Sequence, residues 1–261
     1  MSVGTIVLST MSVPDLWNCH NSSPFIEALQ SGLSLQAFVD EHPEMFKGLL
    51  KTRVVCCDGR IERKGNEYFA AGSFILAPVE QLPAIMQKLK ERGVTCLTSH
   101  HDCGAAGLAF SLAKDAGTVP HGITTADDYG RFKIKEMAET YGFSYEHIGP
   151  VHFNHSHHHE RCLFIDATGK LDPTVADLPN SFVSHSSAFV DEYVGVEAKI
   201  LSGIALGDHG FGDHITETDP FYVLVLSLSP SELAEVLTHA RIHLQDHGNR
   251  VRVQGAILKQ D

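Results

Sequence analysis

The chain has 261 residues, a formal net charge of -12 with His neutral, 43% hydrophobic and 20% charged residues. That balance belongs to a globular domain with a sizeable core and excludes an extended disordered chain. No Lys/Arg cluster marks a nucleic-acid face, and the acidic surplus disfavours anionic polymers and membrane surfaces as partners.

The first fifty residues read as helical in parts, over Pro24–Leu29 and Ser34–Asp40, with Asn21-Ser22-Ser23-Pro24-Phe25 as a helix start. Residues 1–50 are therefore expected to form an N-terminal helical extension, and 51–261 one α/β domain. Arg53–Cys57 is a short β-branched run that meets Asp58-Gly59-Arg60, a buried strand ending in a turn. Tyr68–Pro78 reads as a second strand region interrupted by the small residues Ala70–Ser73. Leu82, Ile85, Met86 and Leu89 form the stripe of an amphipathic helix over Gln81–Arg92, ended by Gly93. Val94–Ser99 is the next strand, followed by His100-His101-Asp102-Cys103-Gly104 and a helix. Asp127–Tyr141 and Ser231–His247 read as helices, and Cys162–Asp166, Phe221–Leu228 and Arg250–Leu258 as strands. The alternation predicts an α/β fold with a mostly parallel central sheet flanked by helices. No internal repeat is visible.

The chemistry concentrates in Cys56-Cys57-Asp58-Gly59-Arg60 and His100-His101-Asp102-Cys103-Gly104. Each follows a predicted strand, and parallel strands bring their carboxyl ends to one edge, where ligands bind. Cys56, His100 and Cys103 supply three ligands of the kind zinc prefers, leaving a fourth position for water as in a catalytic site. Buried structural thiols are the plain alternative for both cysteines. Asp58 and Arg60, two residues apart, would point the same way on a strand, and Arg60 can hold the carboxylate bidentately and keep it off the metal. His101 is either a substitute ligand, a proton carrier at the pocket mouth, or a hydrogen-bonded loop residue. Asp102 is either an acceptor behind a ligand or a turn residue. Cys57, Cys96 and Cys162 are expected in the core.

The pattern C-x-D-x-R followed by H-x-x-C-G resembles the signature of the beta-class carbonic anhydrases. Ala70-Ala71-Gly72-Ser73 resembles that family's Ala-Gly-Asn loop, with Ser73 where Asn is usual and Gly59 where Ser is usual. The likeness spans roughly 52–107, and the ending VQGAILKQ resembles the family's final strand. The CDGR and HHDCGAAG wording is similar to the theta-class branch, the limiting-CO2-inducible B proteins. The resemblance implies a beta-carbonic-anhydrase-like fold holding Zn2+ at Cys56, His100 and Cys103. It implies a lyase that hydrates CO2 reversibly to bicarbonate through hydroxide on the zinc, in a homodimer or higher homo-oligomer whose partner lines the pocket. Asp58 would orient the hydroxide, Arg60 would position Asp58, and His101 would carry the proton. The same site could instead hydrolyse carbonyl sulfide or carbon disulfide, or bind zinc or bicarbonate in a non-catalytic regulatory protein.

Two further tracts stand out among 17 histidines. His152–His159 reads as a metal tract, an exposed loop or a proton-buffering patch, the exposed loop being preferred. Gly207–His214, a Gly-rich GDH repeat, is expected to line the site or a dimer contact. Six cysteines are too few for a disulfide scaffold. No apolar run reaches the ~18–20 residues of a membrane span. The start MSVGTIVLSTMSVPDLW has no basic leader. These features predict a reducing, cytoplasmic compartment.

Overall fold

The computed structural model describes residues 13–259 apart from 22, 47, 49, 150–158, 176–177, 190 and 209. Three short helices come first: α1 (Val13–Asn21), α2 (Pro24–Gln30) and α3 (Leu35–Glu41). Pro24 occupies the first turn of α2, where its missing N–H costs nothing. Ser34 caps α3 by accepting from the Ala37 N–H at 3.2 Å.

Eight strands and five more helices follow: β1 (Arg53–Val55), β2 (Glu67–Phe69), α4 (Leu82–Glu91), β3 (Cys96–His100), α5 (Gly104–Asp115), α6 (Ala126–Tyr141), β4 (Ser144–Ile148), β5 (Cys162–Asp166), β6 (Ser181–Ser184), α7 (Asp191–Leu206), β7 (Phe221–Ser227), α8 (Pro230–Leu244) and β8 (Val251–Ile257). The strands form two sheets, in the orders β2-β1-β3-β4 and β6-β5-β7-β8. Every neighbouring pair is parallel.

This corrects the expectation of a single central sheet. β4 and β6 complete the two sheets, and their sequences, SYEHI and SFVS, carry too little apolar signal to read as strands. The second strand order repeats the first, displaced by four strands. The repeat is invisible in sequence because the residues after the strands differ: Cys56-Cys57-Asp58 follows β1, and Ala167-Thr168-Gly169 follows β5.

The second sheet carries the deeper core. β7 is buried at every position from Phe221 to Ser227, as a central parallel strand covered on both faces must be. The N-terminal helices pack against this sheet. Phe25 lies 4.5 Å from Phe38 and 5.6 Å from Phe164, centroid to centroid. Gln36 on α3 donates to the Ile257 carbonyl at 3.1 Å and accepts from its N–H at 2.8 Å. These two bonds satisfy backbone groups of β8, an edge strand whose open ladder would otherwise invite pairing. Of the other cysteines, Cys57 and Cys162 are buried as expected, whereas Cys96, the first residue of β3, is half-exposed.

The two sheets meet where β2 and β6 end. The His185 N–H donates to the Phe69 carbonyl at 2.7 Å, and the Phe69 N–H donates to His185 Nδ1 at 3.0 Å. That bond leaves the neutral ring's proton on Nε2, which faces Asp166 Oδ2 at 3.2 Å and Lys51 Nζ at 2.9 Å. Burial, reinforced by Lys51, pulls His185 down to about 4. Asp166, despite its burial, is drawn down to about 2 by His185 and Lys51. The unfolded chain takes up a proton at its imidazole from about pH 6.5 downward, the folded chain only near 4. Acidification between those values therefore favours unfolding. Between pH 7 and pH 5 wild type should lose about 2 kcal/mol more stability in urea than His185→Gln does, since Glu197, raised to about 7 by burial, acts in the opposite direction in both proteins alike. An unchanged slope in the variant would contradict this account.

Candidate metal centre

β1 and β3 are hydrogen-bonded neighbours, with Arg53 beside Cys96 and Val54 beside Leu97. Carried two residues further, that register sets Cys56 beside Ser99, next to His100. The chain then turns at Asp102, whose φ is +57°, and Cys103 stands at the N-cap of α5. Adjacent parallel strands thus deliver the two motifs to one edge.

Cys56, His100 and Cys103 are all buried, and their ligand atoms lie within 4.8 Å of one another. The two Sγ atoms are 3.9 Å apart. That is far beyond the ~2.05 Å of a disulfide and close to the ~3.8 Å that two thiolates span at ~2.3 Å from one tetrahedral ion. His100 Nδ1 donates to the His101 carbonyl at 2.9 Å, while its Nε2 is buried without a hydrogen-bond partner. A ring whose proton is fixed on Nδ1 offers the Nε2 lone pair, as a metal ligand requires. These residues fit a metal ion. Hydrogen bonds from Cys103 and Cys57 hold the Cys56 thiol well below its ordinary value, and Cys103 is pushed well above its own by the same contact with Cys56. Burial pulls His100 down, but the neighbouring Cys56 thiolate outweighs it and the net shift is upward. A cation would relieve this congestion by drawing protons off both thiols.

Asp58 and Arg60 form a buried pair. Arg60 Nε donates to Asp58 Oδ1 at 3.0 Å and its Nη2 to Oδ2 at 2.7 Å, a bidentate clasp. The geometry arises differently from the strand alternation expected. Both residues lie beyond β1, and the Arg60 N–H donates to Asp58 Oδ1 at 2.9 Å, an Asx-turn. Arg60 also reaches the second motif, donating from Nη1 to Asp102 Oδ2 at 3.0 Å and from Nη2 to the Asp102 carbonyl at 2.8 Å. Asp102 is therefore both the turn residue and the partner that ties the two motifs together. Asp58 Oδ2 stands 3.9 Å from His100 Nε2, beside the three ligands and outside their cluster.

The small-residue loop passes behind Cys56. Gly72, Ser73 and Phe74 all have positive φ, +51°, +55° and +72°, a costly run for the two non-glycine residues. Its effect is to aim the Gly72 N–H at Cys56 Sγ, 3.2 Å away. A Cβ on Gly72 would stand 2.6 Å from Ile75 Cγ2 and 3.0 Å from Ala105 Cβ. The Ala71 N–H donates to Glu197 on α7, which Ser184 and Ser186 also hold. Burial pushes Glu197 up to about 7 against these bonds. Glu197 was missed from sequence, although a lone acid inside the apolar run VGVEAKIL is a visible anomaly.

Gly59, which stands where the beta-class pattern that these motifs resemble has Ser, has a local cause. Its N–H donates to the buried Glu160 Oε1 at 3.1 Å, and a Cβ there would lie 2.6 Å from that same oxygen. Gly59→Ala should cost about 1–3 kcal/mol in chemical unfolding, as overpacking does. A variant as stable as wild type would show that the Glu160 side chain moves freely.

His101 is half-exposed, with Nδ1 2.6 Å from Asp127 Oδ2, and Asp127 also accepts from the Asp102 N–H at 2.9 Å. Asp127, unnoticed in sequence, lines an outer cavity of about 440 Å³ together with Arg60, Asp102 and Leu108. An inner cavity of about 20 Å³ touches Cys56, Asp58, Ala71, Phe182 and Leu201. Its roof on β6 and α7 comes from the second sheet of the same chain.

Of the two His tracts, 152–158 lie outside the described residues, and His159 is buried. The Gly207–His214 segment lines neither cavity. Its Phe211 is buried edge-on to Trp17 at 5.0 Å, and His214 stacks on Trp17 at 5.5 Å, so this part serves packing with α1. His209 lies outside the described residues. Among the described residues no helix is long and apolar enough to cross a membrane.

Compared with protein-family models, curated proteins and solved structures, the chain matches none. What the fold and site define is an α/β protein of two parallel sheets with a buried Cys-His-Cys cluster able to hold a metal ion.

Proposed function

We propose that this chain is a zinc-dependent carbonic anhydrase on the beta-class plan, a lyase interconverting CO2 and bicarbonate. The observation that carries the reading is the Arg60-clasped Asp58 beside a buried Cys-His-Cys cluster, 3.9 Å from His100 Nε2. Zinc held by Cys56, His100 and Cys103 would supply water made nucleophilic near neutral pH. Asp58, clasped by Arg60 and standing beside His100 Nε2, would be placed to accept a hydrogen bond from that water. Arg60 keeps Asp58 oriented and, at the outer cavity, offers its positive charge to departing bicarbonate. Ala71, Phe182 and Leu201 line the inner cavity, and their apolar surfaces suit a non-polar gas better than its charged product. A space of ~10–15 Å³ admits one water, so the inner cavity of about 20 Å³ suits a very small reactant. His101, paired with Asp127 at the mouth, passes the proton to solvent.

The test is stopped-flow CO2 hydration by the zinc-loaded protein. Wild type should hydrate CO2 well above buffer, and Asp58→Ala should fall roughly 100-fold or more, the scale of a lost proton-positioning group. A wild type no faster than buffer overturns the reading.

A further inference from the structure

The second half of the chain holds the loop that touches Cys56. The Gly72 N–H donates to Cys56 Sγ at 3.2 Å, and the N–H of the preceding residue, Ala71, donates to Glu197 Oε1 on α7. Successive backbone N–H groups thus bind a metal-site sulfur and a buried carboxylate. The positive-φ run from Gly72 to Phe74 begins at this point, and such a run persists only where its surroundings fix it. Two contacts do so: Glu197 at Ala71, and Ser73, whose Oγ donates to the Thr98 carbonyl at 2.6 Å.

Glu197 is itself locked in place. Ser184 Oγ donates to its Oε2 at 2.8 Å, and Ser186 Oγ bonds the same oxygen. Three donors on one carboxylate offset part of the cost of burying it. Its helix is fixed in the core by Val194, Ala198, Leu201 and Ala205, and Ile200 and Ile204 of the same helix line the inner cavity. Packing alone would be served as well by an apolar residue at position 197.

We propose that Glu197 is a positioning residue of the metal centre. It pins Ala71, so that the Gly72 N–H stays aimed at Cys56 and the sulfur keeps its hydrogen bond while it serves as a ligand. A hydrogen bond to a ligating sulfur draws charge from it and tunes the ion it holds. The first half of the chain supplies the sulfur, and α7 in the second half sets its strength as a donor. The inference rests on the metal-ligand part of the proposed function and needs no CO2 turnover.

Cobalt(II) in place of zinc reports the sulfurs of the full-length protein through the thiolate-to-metal charge-transfer band. Glu197→Gln keeps a carbonyl oxygen for the Ala71 N–H and turns an amide toward the two serines, whose hydroxyls can accept. Its band and its cobalt affinity should stay close to wild type. Glu197→Asp keeps the charge but is one methylene shorter, so it cannot reach Ala71 and the serines together. Its band should move to longer wavelength, and its cobalt affinity should fall roughly 10–100-fold, the scale of a lost partner behind a metal ligand. Only folded, cobalt-loaded chains contribute to the band, so lost stability alone does not move it. An aspartate variant that unfolds more easily while its bound cobalt keeps the wild-type spectrum has lost a merely structural contact, and that result overturns the proposal. A glutamine variant displaced as far as the aspartate variant overturns it too, because charge would then be the cause and not the acceptor at Ala71. The expected pattern in a chain that hydrates no CO2 removes the enzymatic reading alone. CO2 hydration with an unmoved band in the aspartate variant removes the role of Glu197 alone. A chain that takes up no cobalt removes both.

Discussion

Cys103→Ala should abolish metal retention. Purified wild type loaded with zinc should carry about one ion per chain, and the variant less than about a tenth, because three protein ligands drop to two and a tetrahedral ion then depends on solvent. The loss should appear in stability as well. An ion that binds only the folded chain stabilises it by an amount that grows with the ratio of free ion to dissociation constant, about 4 kcal/mol at a thousandfold excess. Added zinc should therefore raise the unfolding midpoint of wild type and leave the variant unmoved. Cys103→Ser preserves side-chain volume near the 3.9 Å contact with Cys56 and separates ligation from packing. A serine variant that holds zinc as wild type does would sink the ligand assignment.

Arg60→Leu should be the most damaging change outside the ligands. It leaves Asp58, 4% exposed, without its guanidinium, and it cuts the bonds to Asp102 that join the two motifs. Breaking one side of a buried ion pair costs about 3–5 kcal/mol, because the remaining charge is stranded in a poor dielectric. Asp58 holds the Arg60 guanidinium protonated, overriding the burial that favours its neutral form. Arg60→Lys should recover only part of the stability, since an ammonium cannot make the paired contacts to both Asp58 oxygens and reach Asp102 as well. Urea unfolding of the three proteins checks the order wild type, Lys, Leu. Asp58→Asn with Arg60→Leu, less stable than wild type but more stable than Arg60→Leu alone, would identify the stranded charge as the cause. Equal stability of the lysine variant and wild type would refute the geometric argument.

The metal cluster was legible because its chemistry is local. Cys56 and the His100–Cys103 pair sit in short motifs at strand ends, and the topology needed to join them follows from strand-helix alternation alone. The Asp58–Arg60 partnership was also legible, but its cause was misread, because an Asx-turn and a strand both bring i and i+2 together. The roof was not legible. Phe182 lies in a four-residue strand, SFVS, and Ile200 and Ile204 lie in an apolar helix, where nothing in the residues themselves separates a cavity wall from ordinary core. Asp127 reads as a first-turn acid favouring the positive end of α6, and only its 2.6 Å contact with His101 gives it a second role. The doubling of the sheet was hidden for a related reason: strand order is a property of pairing over long separations, and side chains record it weakly once the two halves have taken different tasks.

The in-chain roof also sets an order of assembly. Cys103, the last of the three ligands to be made, leaves the ribosome about a hundred residues before Ile204. Chains emerge at about 5–20 residues per second and fold from the N-terminal side first. The thiolates and imidazole therefore have seconds in contact with the cellular metal pool before α7 arrives to cover them. Once the helix docks, ion exchange must proceed past it, from the outer cavity that Cys103 lines, or by local opening of the second half. The identity of the bound metal would then be written largely during synthesis, and refolding the finished chain in a chosen ion would be the way to rewrite it.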